Sequence, residues 1–162
     1  MQPIFESTIL IYRYLIGGGA SLGENFRNPP LADKGCASVG AVGFCWGAWV
    51  VWKLSATGKV QAGASCHPST KVEEVLWGRS EAALAKTVRC PQLLLPAGND
   101  PANLKEGGEL VEIIRGSGLV CETFEFAEMR HGWSIRGDAS DPAVARDVRA
   151  AVDKVAGFFC AN

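Results

Sequence analysis

Apolar residues along the chain fall into short runs, separated by polar stretches rich in glycine and proline. Within residues 4–16 an apolar run broken by Arg13 predicts an amphipathic helix, stopped by Gly17-Gly18-Gly19. Residues 17–35 are rich in Gly, Asn and Pro and predict a loop. Leu22 breaks any match there to GxGxxG, so the loop carries no nucleotide-binding signal. An apolar run at 39–44 predicts a strand, and residues 48–54 predict a buried helix after it. Residues 60–65 and 92–96 predict two more strands, with helical pieces between them at 70–87. A helix over 101–115 closes at Gly116-Ser117-Gly118. Residues 119–126 alternate, with Val120, Glu122, Phe124 and Phe126 on one face, and predict a fourth strand. In the last helix, 141–159, Val144, Val148, Val152, Val155 and Phe159 recur at steps of three and four.

Strands alternating with helices predict an α/β fold with a mostly parallel sheet. The short apolar strands suit a sheet covered on both faces, a three-layer αβα sandwich. With 162 residues, no repeat and no second composition, residues 1–162 read as a single domain. Residues 1–35 form its helix and loop, and 36–162 its chemistry-bearing portion.

Charge and composition narrow the function. A formal net charge of −1 argues against nucleic acid and against a polybasic membrane contact. The apolar run at 9–16 is too short to span a bilayer, and it lacks the basic start of a secretory leader. The two histidines, His67 and His131, exclude a histidine-rich zinc site. Six cysteines, at 36, 45, 66, 90, 121 and 160, show no CxxC spacing, so zinc-ribbon and iron–sulfur frameworks are not expected. Reduced thiols and a cytoplasmic location are the expectation.

The strongest local signal is Gly43-Phe44-Cys45-Trp46-Gly47, between a predicted strand and a predicted helix. G-x-C-x-G in that setting is the pattern of a nucleophile elbow. A sharp turn lifts the central side chain above the sheet edge, and the flanking glycines let the helix pack against the strand. The helix N-terminus favours a thiolate and a developing oxyanion. The Trp46 backbone N–H is the expected oxyanion donor. A buried core cysteine between turn glycines is the alternative reading.

Order along the chain adds weight. Such hydrolases run nucleophile, acid, base. Here the 92–96 strand runs into Asp100, and the 119–126 strand is followed by His131. Taken alone, Asp100 also reads as a helix cap before Pro101, and His131 as a loop histidine. His67, just after the 60–65 strand, reads either as a substrate contact or as a satisfied loop histidine. Trp46, Trp49 and Trp52 recur at three-residue steps, a core-packing pattern. Trp46 and Trp133, next to Cys45 and His131, are also candidates to wall a pocket.

The segments GFCWG, PQLLLPAGNDP and RHGWSIRGD together resemble the dienelactone hydrolase family of α/β-hydrolases, over roughly residues 37–160. The resemblance implies Cys45 as nucleophile, Asp100 as acid and His131 as base. It implies hydrolysis of an ester or lactone that carries a carboxylate, through an acyl-enzyme, with no metal or organic cofactor. Arg136 is the matching candidate to hold that carboxylate; a surface ion pair with Asp138 is its other reading.

Only 44 residues precede Cys45, too few for the strands that such a fold places before its nucleophile. The expectation is therefore an N-terminally truncated member, a partial fold lacking the first strands and the usual second oxyanion donor. The 39–44 strand is then an exposed edge, open to self-association. Two rivals belong to other classes: a catalytically impaired remnant acting as a binding module, and a thiol redox protein without a CxxC partner.

Overall fold

A computed structural model of the chain describes residues 9–14 and 38–162. Five strands form one sheet in the order β1-β2-β3-β4-β5. They are β1 (Ile9–Tyr14), β2 (Ser38–Phe44), β3 (Ala62–Cys66), β4 (Gln92–Leu95) and β5 (Cys121–Thr123). From β2 to β5 every neighbour is parallel. Each crossover is helical: α1 (Gly47–Ala56), then α2 (Val72–Trp77) and α3 (Glu81–Ala85), then α4 (Glu109–Gly116). After β5 come a short α5 (Trp133–Arg136) and the long α6 (Pro142–Ala161).

Alternation along the strands builds a core on each face. Ala41, Leu94 and Cys121 face α1, α3 and α4 through Val51, Trp52, Leu84 and Leu110. Val42, Ala64, Leu93 and Leu95 face α6 through Val155 and Phe158. Helix, sheet and helix thus give the expected three layers.

Several expectations are corrected. The apolar run within 4–16 is not a helix where it is described: Ile9–Tyr14 is a strand, antiparallel to β2 in the register Ile9↔Gly43 to Tyr14↔Ser38. A short run rich in Ile and Tyr is ambiguous by periodicity, and pairing along β2 decides it. The same pairing covers the 39–44 strand, which is therefore not the exposed edge expected from the sequence. The 17–35 loop lies outside the described residues.

The 101–115 helix is two pieces, a 3-10 turn at Ala102–Leu104 and α4, with Gly107 at φ 71 between them. The 119–126 strand shortens to Cys121–Thr123, with one further bridge between Ala97 and Phe126. Val120 and Phe124 are exposed while Cys121 and Phe126 are buried, and the Phe124 ring is covered in part by Lys154 of α6. On α6, Val152 is exposed, and Ala151 and Phe158 are buried in its stead.

Candidate active site

Parallel sheets gather their chemistry at the carboxyl ends of their strands. Cys45 follows β2 directly, at φ 54. The left-handed conformation turns the chain sharply into α1. A Cβ on Gly43 would collide with the Gly47 carbonyl, so the elbow requires glycine there. Two hydrogen bonds bracket the Cys45 peptide. Its N–H donates to the Cys66 carbonyl at 3.1 Å, and its carbonyl accepts from the Ser69 N–H at 2.9 Å.

Asp100 lies in the loop after β4, and its carboxylate is almost fully buried. Oδ2 accepts from the Ala97 N–H at 2.7 Å, so the side chain folds back on its own turn. It does not cap a helix. Oδ1 lies 2.6 Å from His131 Nδ1. The loop after β5 brings His131 into place, and its backbone N–H donates to Asn99 Oδ1 at 2.6 Å. His131 Nε2 lies 3.2 Å from Cys45 Sγ. The three residues form one continuous line from thiol to imidazole to carboxylate. The hydrogen bond to Asp100, then the one to Cys45, push the His131 pKa up to about 9.

His67 is completely buried. Its Nε2 meets Ser134 Oγ at 2.7 Å, and its ring stands edge-on to His131, centroids 5.0 Å apart. Burial, followed by the neighbouring His131, pushes its pKa down to about 4. The expected substrate contact at His67 is set against this full burial, with Ser134 and the His131 ring as its neighbours. Trp133 is almost fully buried and packs on Phe126 at 4.6 Å between centroids.

Arg136 is exposed on α5, with its guanidinium folded over Gly132, which sits at φ 91. It borders a depression together with His131 and Trp133. Among the described residues it makes no ion pair with Asp138, whose carboxylate binds the Ser140 N–H and hydroxyl. Trp46 heads α1, and neither its backbone N–H nor its indole N–H has an acceptor among the described residues.

Sequence reasoning missed three contributors. Asn99 tethers the His131 backbone, and Ser134 partners His67. Ser69 places its hydroxyl 3.4 Å from His131 Nε2 and 3.7 Å from Cys45 Sγ. Among the described residues, no group of three or more histidine, cysteine or acidic side chains is gathered as metal ligands, and no helix is long and apolar enough to cross a membrane.

Comparison with known proteins adds the following. The model of the dienelactone hydrolase family matches residues 31–161. An uncharacterized AIM2 family protein of Schizosaccharomyces pombe is 34% identical over 125 residues, 75% of this chain and 46% of that protein. The hydrolase tropI of Talaromyces stipitatus is 28% identical over 127 residues, 76% of this chain and 46% of its own length. The chain thus spans about half the length of the curated relatives it matches. A candidate dienelactone hydrolase of Klebsiella pneumoniae superposes with a TM-score of 0.54 at 20% identity, over 74% of this chain and 50% of that one. An acylaminoacyl peptidase superposes at 0.55 with 17% identity, over 74% of this chain and 23% of that one. These two likenesses speak to the fold alone.

Proposed function

Because this chain belongs to the dienelactone hydrolase family, we propose that it hydrolyses an ester or lactone with Cys45 as nucleophile, His131 as general base and Asp100 as its orienting acid. The observation that carries this reading is the unbroken line from Cys45 Sγ through His131 to Asp100. The hydrolase among the relatives supports the reaction class.

A pKa near 9 keeps a proton on His131 through the neutral range, which suits a thiolate–imidazolium pair. The thiolate attacks the carbonyl carbon. The S–C bond forms as the carbonyl π pair moves to oxygen, and the Trp46 N–H at the head of α1 donates to that oxyanion. Collapse of the tetrahedral intermediate breaks the C–O bond, and the departing oxygen takes the proton from Nε2. In a lactone the departing oxygen stays tethered to the acyl group. Water then gives a proton to Nε2 and attacks the thioester carbonyl. The acid product leaves as the S–C bond breaks. Throughout, Asp100 holds the ring by Nδ1 and its charge stabilises the imidazolium. Arg136, beside His131, binds a carboxylate on the substrate through its planar fork of donors.

Turnover of a panel of activated esters and lactones tests the reading. Cys45→Ala is expected to lower kcat by about a thousandfold or more, as removal of a triad nucleophile does elsewhere. Undiminished turnover by that variant would overturn it.

A further inference from the structure

The relay above leaves Ser69 unused, yet the fold fixes this residue from three sides. Its N–H donates to the Cys45 carbonyl at 2.9 Å. Its neighbour Thr70 is buried and donates its hydroxyl to the buried Glu81 at 2.6 Å. Two residues before it, His67 turns the chain at φ 38. Cys45 and His67 are the two non-glycine residues with positive φ among the described residues. Such conformations persist where the surroundings over-determine them, and they cluster at functional sites. The strained turn at His67 brings Ser69 Oγ to 3.4 Å from His131 Nε2 and 3.7 Å from Cys45 Sγ.

A hydroxyl has one proton to donate and lone pairs to accept. In the neutral pair the thiol donates to Nε2, and the Ser69 hydroxyl competes for the same lone pair. In the ion pair Nε2 carries a proton and Sγ a full negative charge. The hydroxyl then accepts from the first and donates to the second at once. Hydrogen bonds to charged partners are the stronger kind. The hydroxyl therefore favours the charged form of the pair over the neutral one.

We propose that Ser69 is a positioning residue that holds Cys45 and His131 as a thiolate–imidazolium pair, an inference resting on the nucleophile reading above. The proton moves from Sγ to Nε2, and Ser69 keeps its own. The other charged or titratable groups facing the pair, among the described residues, are Asp100 on Nδ1, His67 with its ring 5.0 Å from that of His131, and Arg136 on α5. None of them is altered by changing Ser69.

Ser69→Ala removes the hydroxyl of a half-buried residue and leaves its N–H on Cys45. The test is the rate at which iodoacetamide alkylates Cys45, followed by peptide mapping across the acid-to-alkaline range. Ser69→Ala is expected to move the midpoint to higher pH. At a pH below the wild-type midpoint, labelling then slows by about tenfold, the size of a one-unit shift. Ser69→Thr keeps a hydroxyl and is expected to restore the wild-type midpoint. An alanine profile that overlays the wild type, or that loses rate equally at every pH, would overturn the assignment and leave the nucleophile reading standing. A wild-type Cys45 that titrates like an ordinary thiol would likewise overturn the role of Ser69, whereas undiminished turnover by Cys45→Ala would bring down the nucleophile reading and that role with it.

Discussion

His67 and His131 stand ring to ring, and their surroundings pull them in opposite directions. His131 is raised to about 9 by Asp100 and then Cys45, whereas burial lowers His67 to about 4. A raised histidine stabilises the fold in its charged form. That contribution is complete below the ordinary value of 6.5 and is lost as pH rises through about 9. The depressed histidine acts the other way, and stability is lost as pH falls from 6.5 through about 4. His131→Asn should therefore cost more stability below pH 6.5 than above about 9, read by urea unfolding at both ends. An equal cost at both ends would contradict the ion-pair account. Cys45, Asp100 and His131 are legible in the sequence because each lies at the end of a strand or in the loop after one, and their order matches the elbow chemistry. Ser69 and Asn99 were not. A serine two residues past a histidine carries no mark of the positive φ that swings it toward the thiol.

Helix α2 shows how a short element is held to its neighbour. Glu73 is buried and accepts from Lys53 at 2.8 Å, from Arg79 at 2.7 Å and from the Trp49 indole N–H. Trp49 and Trp77 stack with centroids 4.6 Å apart, tying α2 to α1, the helix that follows Cys45. The Arg79 hydrogen bond chiefly, with Lys53 and Trp49 adding to it, holds the Glu73 carboxyl down to about 2. Its contribution is present above the ordinary 4.5 and is lost as pH falls toward 2. Glu73→Gln is expected to cost about 1 kcal/mol at neutral pH, since a neutral amide weakens the charge-assisted hydrogen bonds from the partly exposed Lys53 and Arg79. Denaturant titrations of the two proteins should converge as pH drops below 4.5. At this scale the sequence reading was least secure. The three-residue spacing of Trp46, Trp49 and Trp52 predicts core packing, whereas Trp49 turns its indole N–H to Glu73, a partner that no sequence pattern marks. The run containing Ile9–Tyr14 reads as a helix from sequence because a short apolar-rich run has too little length to show a period, and the deciding contacts lie 24 to 34 positions away in β2. The split of 101–115 was written in Gly107-Gly108, where the chain turns through a positive φ.

Across the whole molecule, the α/β order and the two-faced sheet were legible because period and run length survive without side-chain detail. The sheet places Cys45, Asp100 and His131 on one rim although they lie 31 to 86 positions apart. Helix layers on both faces hold the strands that carry them. Pairing of β1 along all of Gly43 to Ser38 gives the nucleophile strand a neighbour on each side, which a lone edge strand would lack. The central claim is that this frame delivers an acyl group to one sulfur. Rapid quenching during turnover of p-nitrophenyl acetate, followed by peptide mass mapping, tests it most directly. The account predicts an acetyl adduct on the peptide containing Cys45, formed in the first turnover and absent from Cys45→Ala. Turnover with the acetyl group found on Ser69 or another residue, and none on Cys45, would contradict it.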